Sequence, residues 1–199
     1  MSFKKRIVGV IGLGHVGAHV AFNLGVLGIA DEVKLCDVNH DKLVSERQDF
    51  MDAVMFMPHR VNYTIASYEE LADCDVIVNA IGDIKLCASG NRDDEMHFTV
   101  PQVADYIPKV MAGGFKGIII NITNPCDVIT DLIAKKSGLP KGHVFGTGTG
   151  LDSSRLVSAI SQQTGLDHHS FSAYMMGEHG NSQIVPWSLI HFGGKPLAE

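Results

Sequence analysis

Residues 7–17 read Ile7-Val8-Gly9-Val10-Ile11-Gly12-Leu13-Gly14-His15-Val16-Gly17, an apolar run that leads directly into three spaced glycines. The apolar run predicts a buried strand of a parallel sheet. In the spacing G-x-G-x-x-G, Gly12 permits a tight turn, Gly14 leaves room for a pyrophosphate, and Gly17 lets the following helix pack closely on the strand. The backbone N–H groups at the start of that helix would then face the phosphates.

A second predicted strand, from Glu32 to Asp37, gives this glycine pattern its context. Asp37 follows Gly17 by about 20 residues, the separation at which an acidic side chain holds a ribose 2′-hydroxyl. The simpler interpretation is a tight strand–helix turn with an unrelated surface aspartate. Glycine spacing, preceding strand, following helix and acidic residue together favour a dinucleotide site. Because a carboxylate at Asp37 repels a 2′-phosphate, we predict NAD rather than NADP.

The composition argues against several classes of protein. The 199 residues carry a formal net charge of −6, and 45% of them are hydrophobic. An acidic chain whose only basic cluster is residues 4–6 argues against a nucleic-acid partner, and no apolar run approaches the ~18 residues of a membrane helix. The cysteines lie in or beside apolar segments without C-x-x-C spacing, which predicts reduced, mostly buried thiols and a cytoplasmic protein. They are Cys36, Cys74, Cys87 and Cys126.

Strand-like runs alternate with helical segments along most of the chain. The predicted strands are residues 7–11, 32–37, 62–66, 75–80, 117–122 and 143–146. This alternation predicts an α/β fold with a doubly wound parallel sheet, in which the most apolar strand, 117–122, is central. The helix after Gly14 is expected to bury one face formed by Val16, Val20, Leu24 and Leu27. We place a domain boundary near residue 146, with a dinucleotide-binding domain at 1–146 and the beginning of a substrate domain at 147–199.

Residues 83–92 are predicted to form an irregular loop after the fourth strand. The loop is longer than an ordinary strand-to-helix connection and is placed where functional lids are found. It follows a second glycine turn at Gly82, a further candidate cofactor contact, and it carries Leu86 and Arg92. The next helix contains Pro101 and is expected to kink or split there.

Asp152, Arg155 and His179 are the candidate catalytic residues. Asp152 and Arg155 stand three apart at a helix start and therefore share one face; alone they would be an exposed ion pair worth well under ~1 kcal/mol. His179 lies in a glycine-rich segment and alone would be a loop histidine. In a chain that also carries a dinucleotide motif and a loop arginine, the combination favours catalysis. We predict no metal site, since the adjacent residues His168 and His169 are poorly placed to chelate.

Three motifs resemble those of the L-lactate/malate dehydrogenase superfamily, and the resemblance spans essentially all 199 residues. They are Asn124-Pro125-Cys126-Asp127, Gly148-Thr149-Gly150-Leu151-Asp152-Ser153-Ser154-Arg155 and Gly177-Glu178-His179-Gly180. Residues 82–86 and 122–130 are most similar to the L-2-hydroxyisocaproate dehydrogenase branch. The resemblance implies a Rossmann domain followed by a smaller α+β substrate domain. It also implies hydride transfer between NAD(H) and a small 2-hydroxy or 2-oxo acid.

The resemblance implies a role for each candidate residue, and the chemistry of the side chains agrees with it. His179 is the proton donor and acceptor, which suits an imidazole near neutral pH, and Asp152 fixes its tautomer. Arg155 binds the substrate carboxylate with a two-pronged contact, and Arg92 polarises the ketone. Asn124 orients the cofactor ribose or the substrate oxygen, and the bond to the next residue is a candidate cis peptide.

Substrate choice is expected to depend on Leu86. In the family, the corresponding position carries arginine in malate enzymes and glutamine in lactate enzymes. A leucine there, with no second arginine on the loop, predicts an apolar pocket for pyruvate or a branched 2-oxo acid. A malate dehydrogenase and a non-catalytic NAD-binding domain remain as alternatives. Because family members are longer, we expect the rest of the substrate domain to be absent from this chain; a homodimer or homotetramer is also implied.

Overall fold

The computed structural model describes residues 4–87 and 92–196, without the side chains of residues 84, 87, 92 and 93. It divides into two compact units, Met1–Gly146 and Thr147–Glu199. The first unit contains a six-stranded sheet and the helices that cover it. The second contains one long helix and a small antiparallel sheet.

The sheet of the first unit is entirely parallel and has the order β3-β2-β1-β4-β5-β6. Its strands are β1 (Ile7–Ile11), β2 (Glu32–Cys36), β3 (Asn62–Ile65), β4 (Val76–Asn79), β5 (Ile118–Asn121) and β6 (Val144–Gly146). The doubly wound parallel sheet is therefore confirmed. The central position predicted for β5 is wrong, because β1 and β4 form the middle of the sheet. Burial on both faces makes every interior strand apolar, so apolarity alone does not rank their positions.

Helices pack on both faces of this sheet. They are α1 (His15–Val26), α2 (His40–Ala53), α4 (Arg92–Ala112) and α5 (Cys126–Ser137). A further short helix, α3 (Ile84–Cys87), precedes α4 and contacts it. One apolar cluster includes Ile77 with residues of α4 and α5, and the other includes Val78 with residues of α1 and α2. Because successive strand residues point to opposite faces, the two clusters lie on opposite sides of the sheet.

The buried face of α1 differs from the predicted one. Val16 and Leu27 are 57% and 63% exposed, whereas Gly17, Ala18, Ala21 and Gly25 are buried. Small residues face the sheet because the helix approaches it too closely for larger ones. Val20 and Leu24 of the predicted face do pack against the core, partly buried, so the apolar periodicity was wrong for Val16 and Leu27 and missed the small residues.

Part of the segment predicted as loop is helical, and the following helix is continuous. α3 occupies Ile84–Cys87, and Asp83 Oδ1 accepts the Lys85 N–H at 3.0 Å beside its start. α4 runs unbroken from Arg92 to Ala112 through Pro101 and Pro108. Of the two predicted alternatives, a split at Pro101 is therefore wrong, and a kink there stays a prediction. A proline inside a helix costs roughly 3 kcal/mol, and burial of the α4 side chains in the core offsets that cost.

The second unit begins with α6 (Gly150–Thr164). Three short antiparallel strands follow: β7 (Phe171–Ser172), β8 (His191–Phe192) and β9 (Lys195–Pro196). Between β7 and β8, an antiparallel bridge joins Met176 to Ile184 and closes a loop that contains His179.

The cysteines with described side chains are free and buried, as predicted. Burial raises the pKa of Cys36 and of Cys74 to about 12, so both remain thiols. Cys126 is also buried, and the side chain of Cys87 lies outside the described residues. Across residues 4–87 and 92–196, no helix is long and apolar enough to cross a membrane.

Candidate active site

A groove runs along the carboxyl ends of β1, β4 and β5, where the strand order of a doubly wound sheet reverses. Its larger part has a volume of about 200 Å³ and is bordered by Gly14, Gly82, Leu86, Phe98 and Asn124. A smaller hollow of about 90 Å³ shares three of these residues, namely Gly14, Gly82 and Phe98. That hollow extends the groove to the end of β2. We call both parts together the nucleotide groove.

The three glycines at the start of the groove have the geometry that the predicted roles require. Gly12 has φ +88°, and a Cβ there would lie 2.8 Å from the Ala80 carbonyl oxygen. A Cβ on Gly17 would lie 1.8 Å from the Gly12 carbonyl oxygen. A Cβ on Gly14 would meet no described atom within 4 Å. The chain thus keeps open space at Gly14 and none at the other two glycines.

Asp37 connects the glycine turn to the start of α2. Its Oδ2 accepts the Leu13 N–H at 2.5 Å, and its Oδ1 accepts the Asn39 N–H at 2.8 Å. The carboxylate borders the smaller part of the groove. At Gly14 the N-terminus of α1 has no side-chain cap within the described chain and no acidic residue in its first turn. The partial positive charge of that helix end therefore faces the groove, as an anion site requires.

The other predicted contacts of the first unit lie along the larger part of the groove. Asn124 borders it, its peptide bond to Pro125 is cis, and its carbonyl accepts the Thr99 hydroxyl at 3.0 Å. Leu86 of α3 also borders the groove. Arg92 is the first residue of α4, and its side chain lies outside the described residues.

In the second unit, the structure brings Asp152, His179 and Arg155 together. Asp152 lies in the first turn of α6 with its side chain 9% exposed, and its Oδ2 is hydrogen-bonded to His179 Nδ1. Arg155 donates from Nη1 to the other carboxylate oxygen at 3.3 Å. The His179 side chain is 15% exposed, whereas that of Arg155 is 67% exposed. A buried carboxylate thus orients an imidazole and a more accessible guanidinium.

Electrostatics favour the ionised form of Asp152. Burial tends to raise the pKa of its carboxyl, but the hydrogen bond and charge of His179 and those of Arg155 outweigh burial. The pKa therefore lies below the ordinary value of 3.8. A carboxylate accepts the proton of Nδ1, so this contact favours the His179 tautomer that leaves the opposite ring nitrogen, Nε2, as an acceptor.

Sequence reasoning missed the residues that position the segment before His179. The Thr149 hydroxyl donates to the Met175 carbonyl at 2.8 Å, and the Met175 N–H donates to the Ser153 hydroxyl at 2.9 Å. Both hydroxyl residues flank Asp152 at the start of α6. The sequence could have indicated Thr149 and Ser153, because serine and threonine are favoured near helix starts, where their side chains hydrogen-bond to backbone groups.

Comparison with known proteins finds a separate family model for each of two segments of the chain. The family model for the lactate/malate dehydrogenase NAD binding domain matches residues 6–146, and the model for the alpha/beta C-terminal domain of the same family matches residues 149–199. The chain therefore belongs to the lactate/malate dehydrogenase family. Its first unit is the NAD-binding domain of that family, and NAD is its cofactor.

Individual relatives show the same likeness. The chain is 39% identical to the L-lactate dehydrogenase of Fusobacterium nucleatum over 98% of this chain and 61% of that protein. It is also 39% identical to L-lactate dehydrogenase 1 of Bifidobacterium longum, over 100% and 62% of the two chains. The ligand-bound crystal structure of minor L-lactate dehydrogenase from Enterococcus mundtii has a TM-score of 0.92 and 33% identity, over 98% of this chain and 62% of that one. This chain thus spans about 61–62% of the length of these relatives.

The residues of the groove fit NAD. Open space at Gly14 beside an uncapped helix N-terminus suits a pyrophosphate, and the Asp37 carboxylate suits a ribose hydroxyl. Gly12, Gly82 and Asn124 complete the set of residues that would hold the cofactor.

Proposed function

We propose that this chain acts in an NAD-dependent L-2-hydroxy acid dehydrogenase whose substrate is lactate or a branched-chain 2-hydroxy acid. The observation that carries the proposal is the hydrogen bond between the buried Asp152 carboxylate and His179 Nδ1, in a chain that also contains the family's NAD-binding domain. This pair supplies the proton that reduction of a ketone to an alcohol requires.

Each residue has a defined task in the proposed reaction. NADH, when bound, supplies the hydride that reaches C2 of the 2-oxo acid. His179 donates the Nε2 proton to the carbonyl oxygen of the substrate, and Asp152 stabilises the imidazolium before transfer. Arg155 binds the substrate carboxylate through its accessible guanidinium. Arg92 polarises the carbonyl as negative charge develops on the oxygen. In the oxidation direction, His179 accepts the hydroxyl proton.

The lining of the nucleotide groove supports an uncharged substrate side chain. Leu86, Phe98 and Val16 border its larger part and provide apolar contacts. An arginine at position 86 would provide a charge partner for the second carboxylate of oxaloacetate, which leucine does not provide.

We expect Leu86→Arg to shift kcat/KM toward oxaloacetate relative to 2-oxoisocaproate by about tenfold or more, since a charge-assisted hydrogen bond is worth about 1.5–3 kcal/mol. Initial rates with both acids, measured at 340 nm, give the ratio. Leu27→Arg, which adds the same charge at an exposed position outside the groove, is the matched control. An unchanged ranking of the two acids in Leu86→Arg would remove Leu86 from the substrate pocket.

The proposed activity is tested with purified protein, NADH and three acids: pyruvate, 2-oxoisocaproate and oxaloacetate. We expect turnover of one of the first two, and a loss of at least about 100-fold in kcat for His179→Ala with NADH affinity retained. Preference for oxaloacetate in the wild-type protein would identify a malate dehydrogenase instead. NADH binding with equal, negligible rates in the wild type and His179→Ala would show an NAD-binding protein without this catalysis.

A further inference from the structure

Two asparagines lie side by side in the interior of the parallel sheet. Asn79 and Asn121 are the last residues of β4 and β5, they are register partners, and both are 0% exposed. The Asn79 Nδ2 donates to the Asn121 Oδ1 at 2.9 Å. Burying an amide without hydrogen bonds costs about 1–3 kcal/mol in proteins. Both side chains are instead built into a hydrogen-bonded network.

Asn121 joins the two ends of the loop that carries Asn124. Its Oδ1 accepts the Thr123 N–H at 3.2 Å. Its Nδ2 lies 3.2 Å from the Thr123 carbonyl, 3.0 Å from the Cys126 carbonyl and 3.1 Å from the Thr130 hydroxyl, and these three acceptors share its two hydrogens. We call residues 122–126 the Asn124 loop. The amide of Asn121 therefore fixes the backbone on both sides of the residue that borders the nucleotide groove.

Tyr106 of α4 orients this pair from the other end. Its hydroxyl donates to the Asn79 Oδ1 at 2.6 Å, and the side chain is 2% exposed. A donor at the oxygen of Asn79 determines which end of the amide turns toward Tyr106 and leaves Nδ2 directed at Asn121. Burial raises the pKa of Tyr106 well above its ordinary value, so the hydroxyl keeps the proton that it donates.

A second contact ties the same helix to the Asn124 loop directly. Thr99 is 2% exposed, and its hydroxyl donates to the Asn124 carbonyl at 3.0 Å. α4 thus holds the loop at two points, through Thr99 and through the series Tyr106–Asn79–Asn121. Hydrogen bonds in a buried series of this kind strengthen one another, so removal of one donor is expected to weaken the bonds of its neighbours.

We propose that Tyr106 is a positioning residue, which acts through Asn79 and Asn121 to hold the Asn124 loop against the nucleotide groove. The proposal rests on the proposed function in one respect: it takes Asn124 as one of the residues that would hold NAD. In this proposal the cofactor site depends on a hydroxyl group of α4 that does not border the nucleotide groove and does not belong to the candidate catalytic residues of the second unit.

The test is Tyr106→Phe, which removes one hydroxyl and keeps the buried ring. Tyr63→Phe is the matched control: Tyr63 is 0% exposed, and its hydroxyl donates to the Ala21 and Phe22 carbonyls at 3.3 Å, away from the Asn124 loop. Amide hydrogen exchange is measured on the peptide that spans residues 121–126, together with NADH affinity by fluorescence. Both readouts are independent of turnover.

We expect exchange in that peptide to become about fivefold to tenfold faster in Tyr106→Phe and to remain unchanged in Tyr63→Phe, because one hydrogen bond is worth about 1 kcal/mol. We expect NADH affinity to fall by about threefold or more in Tyr106→Phe alone. Thr99→Val, which removes the other contact, should produce the same pattern in the same peptide.

Equal exchange and equal NADH affinity in Tyr106→Phe and Tyr63→Phe would overturn the proposal, as would faster exchange without weaker NADH binding. The proposed function fails separately, through absence of turnover in the wild-type protein. If amide exchange in residues 121–126 becomes faster in Tyr106→Phe and NADH binding becomes weaker, the positioning role is supported. This holds whichever acid the wild-type protein reduces.

Discussion

The Asp152 carboxylate contacts one residue close in sequence, Arg155, and one distant in sequence, His179. The three-residue interval to Arg155 places both on one side of α6, whereas the proposed catalytic role of the carboxylate depends on its hydrogen bond to His179. The accessibility of the three side chains matches their proposed tasks. The orienting carboxylate is buried, whereas the guanidinium proposed to bind the substrate is exposed.

Asp152→Asn should lower kcat for 2-oxo acid reduction by about 100-fold or more, because the amide neither stabilises an imidazolium nor enforces the required tautomer. NADH affinity should remain unchanged, since the groove belongs to the first unit. Steady-state rates and fluorescence titration measure the two quantities. Asp167→Asn is the control: Asp167 pairs with His169 in the same unit, but both side chains are exposed (70% and 97%), and we expect no loss of rate.

Asp152 should also make a pH-dependent contribution to stability. Its folded-state pKa lies below the ordinary value of 3.8, so the stabilisation is fully present above about pH 4–5 and disappears as the pH falls through the lowered value. Chemical denaturation at pH 7 and at pH 3 should therefore show a larger difference between the wild type and Asp152→Asn at pH 7. A difference that is the same at both pH values would contradict the lowered pKa.

Asp37 is expected to determine the choice between NADH and NADPH. Asp37→Asn keeps an oxygen that can accept an N–H from the glycine turn or from α2, but it removes the charge that repels a 2′-phosphate. The ratio of NADPH to NADH affinity should rise by about tenfold or more. Asp41→Asn neutralises an exposed carboxylate in the first turn of α2 and should leave the ratio unchanged. If the ratio of NADPH to NADH affinity in Asp37→Asn equals that in Asp41→Asn, Asp37 does not determine the choice of cofactor.

At the scale of elements, the absence of large side chains on one face of α1 determines how closely the helix packs on the sheet. Its buried residues are glycine and alanine, and this small face lets its N-terminus reach the end of β1. Apolar periodicity pointed to Val16 and Leu27 because it ranks side chains by hydrophobicity, whereas the contact with the sheet selects them by size.

Two glycines of this element should respond differently to the same substitution. Gly17→Ala should destabilise the protein by more than about 1 kcal/mol, because its Cβ would lie 1.8 Å from the Gly12 carbonyl oxygen. Gly14→Ala should fold normally, since its Cβ meets no described atom within 4 Å, but it should weaken NADH binding by filling the phosphate space. Thermal unfolding with and without NADH separates the two effects. Normal NADH binding by Gly14→Ala would show that the phosphates lie elsewhere.

At the scale of the whole molecule, the two proposed tasks, cofactor binding and proton transfer, fall on different units. Every described residue that borders the nucleotide groove belongs to Met1–Gly146, and the Asp152–His179 pair belongs to Thr147–Glu199. Cofactor binding and proton transfer are therefore assigned to different units.

A protein consisting of residues 1–146 should bind NADH with an affinity within about threefold of that of the 199-residue chain, because its groove is complete within one compact unit. Circular dichroism checks that it folds, and NADH fluorescence gives the affinity. A folded 1–146 protein that fails to bind NADH would show that the second unit contributes to the cofactor site.

The sequence by itself determined the parallel α/β fold and the cofactor class. Both follow from local patterns. Apolar runs that alternate with helical segments predict the fold. The glycine spacing, which suits a tight turn, a phosphate and a close helix contact, predicts the cofactor class. Its motifs also pointed to Asp152, Arg155 and His179. The tertiary structure alone decided the order of the strands, the buried face of α1, the continuity of α4 through Pro101 and the network from Tyr106 to Asn121. The reason is physical: each of these depends on contacts between residues far apart in the chain, where packing distance and hydrogen-bond satisfaction outweigh local preference.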